Sequence, residues 1–140
     1  MAPLYEECIE ALGKENIEIL SDEVGRKVIK QFEQCFPITQ WARVEWEKVE
    51  NHIQAEYLED IEDFLEQCDE LEENDFYIIW NDAMMPVVKA KLACIFDTID
   101  DVLAVSFDTW LFSPTINGVV EFHHEGETRV GVMNLNPSSE

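Results

Sequence analysis

From Val49 to Val88 the chain runs forty residues without a Lys or Arg while carrying thirteen carboxylates, twelve of them between Glu50 and Asp75. Like charges three or four residues apart on a helix oppose it by about 0.2–0.5 kcal/mol per pair. Such a segment must hold its acidic side chains in water, and only its remaining apolar positions can join a core. Tyr57, Leu58, Ile61, Phe64, Leu65 and Cys68 recur at helical spacing, which predicts a helix from Ala55 to about Leu71. Glu59, Asp60, Glu62, Asp63, Glu66, Asp69 and Glu70 then share its outer arc. A helix face that served only solubility would mix signs. Uniform sign points to a cationic partner.

The acidity is not confined to this helix, since the formal charge is −22 over 140 residues. Direct contact with nucleic acid or an anionic membrane is disfavoured, because both are polyanions. A disordered acidic tail is excluded by 46% apolar and 11% aromatic residues, enough for a core in one domain of this length. We expect a single domain over residues 1–134 and a frayed polar tail over 135–140. Cys8, Cys35, Cys68 and Cys94 are spaced too widely for a zinc ribbon or a redox pair and read as small core hydrophobes. The N-terminus has no secretory signal pattern, and no apolar run approaches the roughly 20 residues of a membrane span. A reducing cytoplasm is the expected compartment.

Pro3 and Gly13 bracket a short helix with Tyr5, Cys8, Ile9 and Leu12 on one face, and Asn16 to Leu20 alternates like a strand. Ser21 caps a second helix whose inward stripe is Val24, Val28, Phe32, Cys35 and Phe36, and Pro37 ends it. Residues 38–54 have no settled pattern. Phe76 to Trp80 reads as a strand covered on both faces. Pro86 opens a further predicted helix with Val88, Leu92, Ile95, Phe96 and Ile99 inward, followed by a strand from Val102 to Phe107. Turn signals at Asn117-Gly118 and Glu125-Gly126-Glu127 predict a three-stranded antiparallel meander near the C-terminus. A three-residue last turn would set His124 opposite Thr128, Phe122 opposite Val130, Val120 opposite Val132 and His123 opposite Arg129, with Glu121 diagonal to that pair. The fold class is α+β, a mostly antiparallel sheet packed against several helices.

Several constellations resemble chemistry and fall short of it. An EF-hand loop needs alternating ligands around a central glycine, and Asp69 to Asp75 has neither. Glu121, His123, His124 and Glu125 suggest a metal cluster. Adjacent strand residues point to opposite faces, however, so both histidines cannot reach one ion without a bulge, and a polar pair with Arg129 is the simpler reading. No metal or other cofactor is expected. Neither a nucleophile elbow nor a phosphate loop is present, so an enzyme is not expected either. Asp82, Asp108 and Trp110 follow predicted buried strands. Asp82 would cap the Pro86 helix and Trp110 would fill the core, unless they sit at an interface where carboxylates grip Arg and Trp anchors binding.

The stretches Tyr77 to Asp82, Val105 to Pro114 and Val120 to Glu127 resemble those of bacterial immunity proteins from contact-dependent growth inhibition and related polymorphic toxin systems. Glu6 to Gly13 and Trp46 to Glu50 fit the same picture. The resemblance implies a small cytoplasmic protein that binds and neutralises a cognate toxin domain, often a nuclease. It supplies no binding residues. A nuclease must carry Lys and Arg where phosphates dock, and that cleft suits an acidic inhibitor. The expected toxin-binding set is therefore Glu59, Asp60, Glu62, Asp63, Glu66, Asp69 and Glu70, together with Asp82 and Asp108. In an exosite variant, Trp41, Trp46, Asp82 or Asp108 would carry the energy. The alternative function is an acidic DNA mimic or adaptor binding basic host proteins.

Overall fold

A computed structural model describes residues 3–39, 43–68, 75–82 and 84–133. Seven strands form one antiparallel sheet, and helices cover both of its faces. The strands are β1 (Ile17–Ile19), β2 (Asn51–Ala55), β3 (Asp75–Trp80), β4 (Val88–Lys91), β5 (Thr109–Ser113), β6 (Gly118–Phe122) and β7 (Thr128–Val132). Their order is β1-β4-β3-β5-β6-β7-β2, so β1 and β2 form the two edges. The helices are α1 (Pro3–Leu12), α2 (Asp22–Cys35), α3 (Leu58–Cys68), α4 (Leu92–Asp97) and α5 (Ile99–Leu103). The α+β class and the C-terminal meander β5-β6-β7 are as expected.

The two faces explain the apolar run in β3. Ile78 and Trp80 enter one core with Cys8, Leu12, Ile61, Leu65, Ile95 and Val102 from α1, α3, α4 and α5. Ile79 enters the other, where Val28, Phe32 and Cys35 of α2 pack with Phe36, Trp110 and Phe112. Strand alternation thus feeds both layers, and each fully buried aliphatic or aromatic side chain contributes about 1.5–3 kcal/mol.

α2 begins where Ser21 Oγ accepts the Val24 N–H at 3.3 Å, with Asp22 and Glu23 in its first turn. Its inward face runs through Gly25 rather than Val24, which is exposed. An added Cβ at Gly25 would sit 3.4 Å from Val87, so the helix packs there against the residue that leads into β4. Gly13, at φ 88°, stops α1 in the left-handed region that favours glycine.

Four expectations are corrected. Val88 belongs to β4, and the helix predicted from Pro86 starts only at Leu92. No strand spans Val102 to Phe107; α5 ends at Leu103, irregular backbone follows, and β5 starts at Thr109. The Trp80 indole N–H donates to the Val102 carbonyl at 2.9 Å and ties α5 to the sheet. Tyr57 lies outside the apolar stripe, exposed just before α3. Finally, the last hairpin pairs Phe122 with Thr128, Glu121 with Arg129 and Val120 with Val130. Its loop is five residues, His123 to Glu127, closed by the His123 N–H to Glu127 carbonyl bond. The shift of two residues keeps the paired side chains of β6 and β7 on their expected faces while moving His123 and His124 into the loop, away from Arg129.

The ambiguous segment after α2 forms an isolated bridge between Ile38 and Val44, a short 3-10 turn at Trp46–Lys48 and then β2. The predicted polar tail lies outside the described residues. No helix among the described residues is long and apolar enough to cross a membrane.

Candidate functional site

α3 crosses the β7–β2 end of the sheet, and its Ile61, Phe64 and Leu65 are buried there. That packing turns Glu59, Asp63 and Glu66 outward, with Glu62 half-buried at the margin. Among the described residues none of these four pairs with a cation or accepts a hydrogen bond. Asp60 is different. Its Oδ2 accepts the N–H groups of Glu56 at 3.1 Å and Tyr57 at 3.0 Å, reaching back from the first turn to fasten the helix start. Asp69 and Glu70, predicted on the same arc, lie outside the described residues, as does Trp41.

A second set of acidic residues gathers at the other end of β5. Asp82 is exposed, and its Oδ1 accepts the Met84 N–H at 2.9 Å. It therefore holds a turn and caps no helix, because none begins at Pro86. Asp108 is only 6% exposed. Its Oδ1 accepts the His124 N–H at 2.8 Å and lies 2.9 Å from His124 Nδ1, while Asn81 Nδ2 approaches Oδ2 at 3.4 Å. Burial pushes the Asp108 carboxyl up, but the hydrogen bonds from His124 and Asn81 and the nearby His123 carry it below the usual carboxylate range. Asp82, His123 and His124 line a groove of about 680 Å³. Phe107, 85% exposed, stands on its rim with its ring 6.0 Å from that of His124. A strand over Val102 to Phe107 would have covered this ring, and the irregular backbone after α5 leaves it in water instead.

The most heavily bonded carboxylate was not foreseen either. Glu121, 1% exposed in β6, accepts the indole N–H groups of Trp46 and Trp110, each at 2.9 Å. It also accepts the Val44 N–H at 2.8 Å and the Arg43 guanidinium at 3.0 Å. Desolvation works against the Arg43 charge, yet Glu121 and Glu127 hold its pKa above the ordinary value. A carboxylate inside the apolar run Val119 to Phe122 is the sequence signal that could have identified it. Arg129, its partner in strand register, turns to Glu127 instead. Trp110 is thereby a core residue, and the burial of Trp46 removes it as a surface anchor.

The thiols behave as small apolar residues. Cys8 and Cys35 are buried and free, and burial together with Asp101 pushes the Cys8 thiol up to about 11. The side chain of Cys68 is not described.

Residues 2–131 match the family described as CdiI immunity protein EcoliA0-like. The chain belongs to the CdiI immunity protein family. Among curated proteins, none matches it significantly. As a CdiI protein it is an immunity protein of a contact-dependent growth inhibition system, one that neutralises a toxin. The carboxylates singled out in this CdiI protein differ in their surroundings: Asp60, Asp82, Asp108 and Glu121 accept hydrogen bonds within the chain, whereas Glu59, Glu62, Asp63 and Glu66 of α3 accept none among the described residues.

Proposed function

We propose that this immunity protein occludes the basic cleft of a nuclease toxin with the acidic face of α3, binding one to one. The observation that carries the reading is the set Glu59, Asp63 and Glu66, turned outward on a packed helix with half-buried Glu62 at its margin, all without a cation among the described residues. Asp69 and Glu70 would continue this face by sequence. Opposite charge lifts association from about 10⁵–10⁶ M⁻¹s⁻¹ toward 10⁸–10⁹ at low salt, which suits a toxin that arrives active. A standard interface needs about 800 Å² from each partner, within reach of a helix face and its flanking loops.

A second reading rests on Phe107. An aromatic side chain almost fully in water beside exposed Asp82 is the composition of an interface anchor, and it would give binding away from the toxin's cleft. Asp108 would support that surface from beneath.

Co-expression with the cognate toxin domain, followed by titration of the purified pair, tests both. Growth rescue with one-to-one binding that weakens after charge neutralisation on α3 supports occlusion. Rescue that survives this change and is lost with Phe107→Ala moves the contact to the groove. Absence of rescue, with salt-sensitive capture of basic host proteins instead, would favour the acidic-adaptor function.

A further inference from the structure

We propose that Asp108, His123 and His124 form a binding site for a borderline divalent transition-metal ion of the zinc class. Each of the three residues offers one donor atom, and these atoms all lie within 4.8 Å of one another. Two imidazole nitrogens and one carboxylate oxygen are a donor set that zinc accepts.

The premise that separated the histidines fails here. β6 ends at Phe122, so His123 and His124 begin the five-residue loop and escape the alternation of a strand. Their ring centroids approach to 4.2 Å with the planes 36° apart. Asp108 reaches the pair from the start of β5, a part of the chain fixed by its own burial and by the Asn81 N–H bond to the Asp108 carbonyl at 3.0 Å. One donor is thus preorganised by the sheet, and the other two sit on a loop that the same carboxylate already holds through the His124 N–H.

The geometry needs only a local adjustment. A tetrahedral zinc site with bonds of about 2.0–2.1 Å separates its donors by about 3.3–3.4 Å. The Asp108–His124 separation of 2.9 Å must open slightly, and the widest donor pair must close by rotation of the half-buried His123 and exposed His124 imidazoles. The hydrogen bond between His124 Nδ1 and Asp108 Oδ1 is given up to the ion, and with His123 ligating through Nδ1 so is the long one from the Glu125 N–H, at 3.3 Å. Three protein ligands leave a coordination position open, and His123 and His124 both line the groove that Asp82 also lines. The strongly negative chain raises the local cation concentration. It also demands a test that separates this site from diffuse carboxylate binding.

Titration of the full chain with Zn²⁺ by calorimetry, repeated with Co²⁺ by visible absorption, provides that test. The expected result is one ion per chain and the intense visible bands of four-coordinate cobalt. Affinity should fall about tenfold or more in His123→Ala and His124→Ala, and should be unchanged in His52→Ala, which lies outside the cluster. His123→Gln checks that loss follows the ligand and not the loop, with circular dichroism confirming that each variant is folded. Equal uptake by all variants would mean adventitious carboxylate binding only and would overturn the proposal. Equally, no uptake would leave Asp108 as a loop anchor and nothing more.

Discussion

Glu121 and the outer arc of α3 put the same functional group in opposite circumstances. Glu121 is sealed between the sheet and residues 43–46, where a guanidinium, two indoles and a backbone N–H satisfy it. Glu59, Glu62, Asp63 and Glu66 stand on a helix whose apolar side is fully packed, and no described residue answers their charge. Within one chain, then, the carboxylate meets two separate environments. The enclosed carboxylate fixes an irregular segment to β6 and thereby defines the fold. The displayed ones add repulsion to the free protein and become favourable only against a cationic surface.

Asp108 and Asp60 fall between these extremes, so a graded series of substitutions probes the contrast. The largest effect is expected for Glu121→Gln, which leaves Arg43 paired with Glu127 alone and turns an amide N–H group toward existing donors. Denaturant unfolding should show a loss of about 3–5 kcal/mol, as for other broken buried pairs. Asp108→Ala should cost about 1–3 kcal/mol, because the His124 N–H loses its acceptor. Asp60→Ala removes the link from α3 back to residues 56 and 57 and should cost about 1 kcal/mol. Neutralising the free arc in Glu59→Gln/Glu62→Gln/Asp63→Asn/Glu66→Gln should cost nothing and raise stability by a few tenths of a kcal/mol per relieved like-charge pair. A marked loss in that last variant would erase the distinction between the two groups.

Acid titration sharpens the same contrast. Asp108 has a folded pKa below its unfolded value of about 3.9, so its contribution is complete above that value and disappears as pH falls through the folded pKa. Wild type should therefore lose stability below about pH 4 more steeply than Asp108→Asn, measured as denaturation midpoints across pH.

Much of this arrangement was legible in the sequence where a periodic apolar stripe met a clear stop. α1 between Pro3 and Gly13, α2 after Ser21, and β3 with its continuous apolar run all belong to that class. Legibility failed where elements were short or polar. β2, Asn51–Ala55, is an edge strand with mostly exposed residues, so its apolar alternation is absent. The run Val102 to Val105 suits a strand and a buried helical turn equally, and contact with Trp80 decided for the helix. The hairpin register depended on loop length, expected at three residues from Glu125-Gly126-Glu127 and found at five. From that loop followed the meeting of His123, His124 and Asp108, a contact between β5 and β6–β7 that no spacing rule foretells. The α3 arc was visible because helical periodicity alone determines it.

The central claim, that the α3 carboxylates face a basic toxin cleft, is tested most directly by stopped-flow association of the protein with its cognate toxin domain across ionic strength. The account predicts fast, steeply salt-dependent association for the wild type. It also predicts at least about tenfold slower, nearly salt-independent association for the quadruple neutral α3 variant at low salt. Identical rates and salt slopes for the two proteins would contradict it.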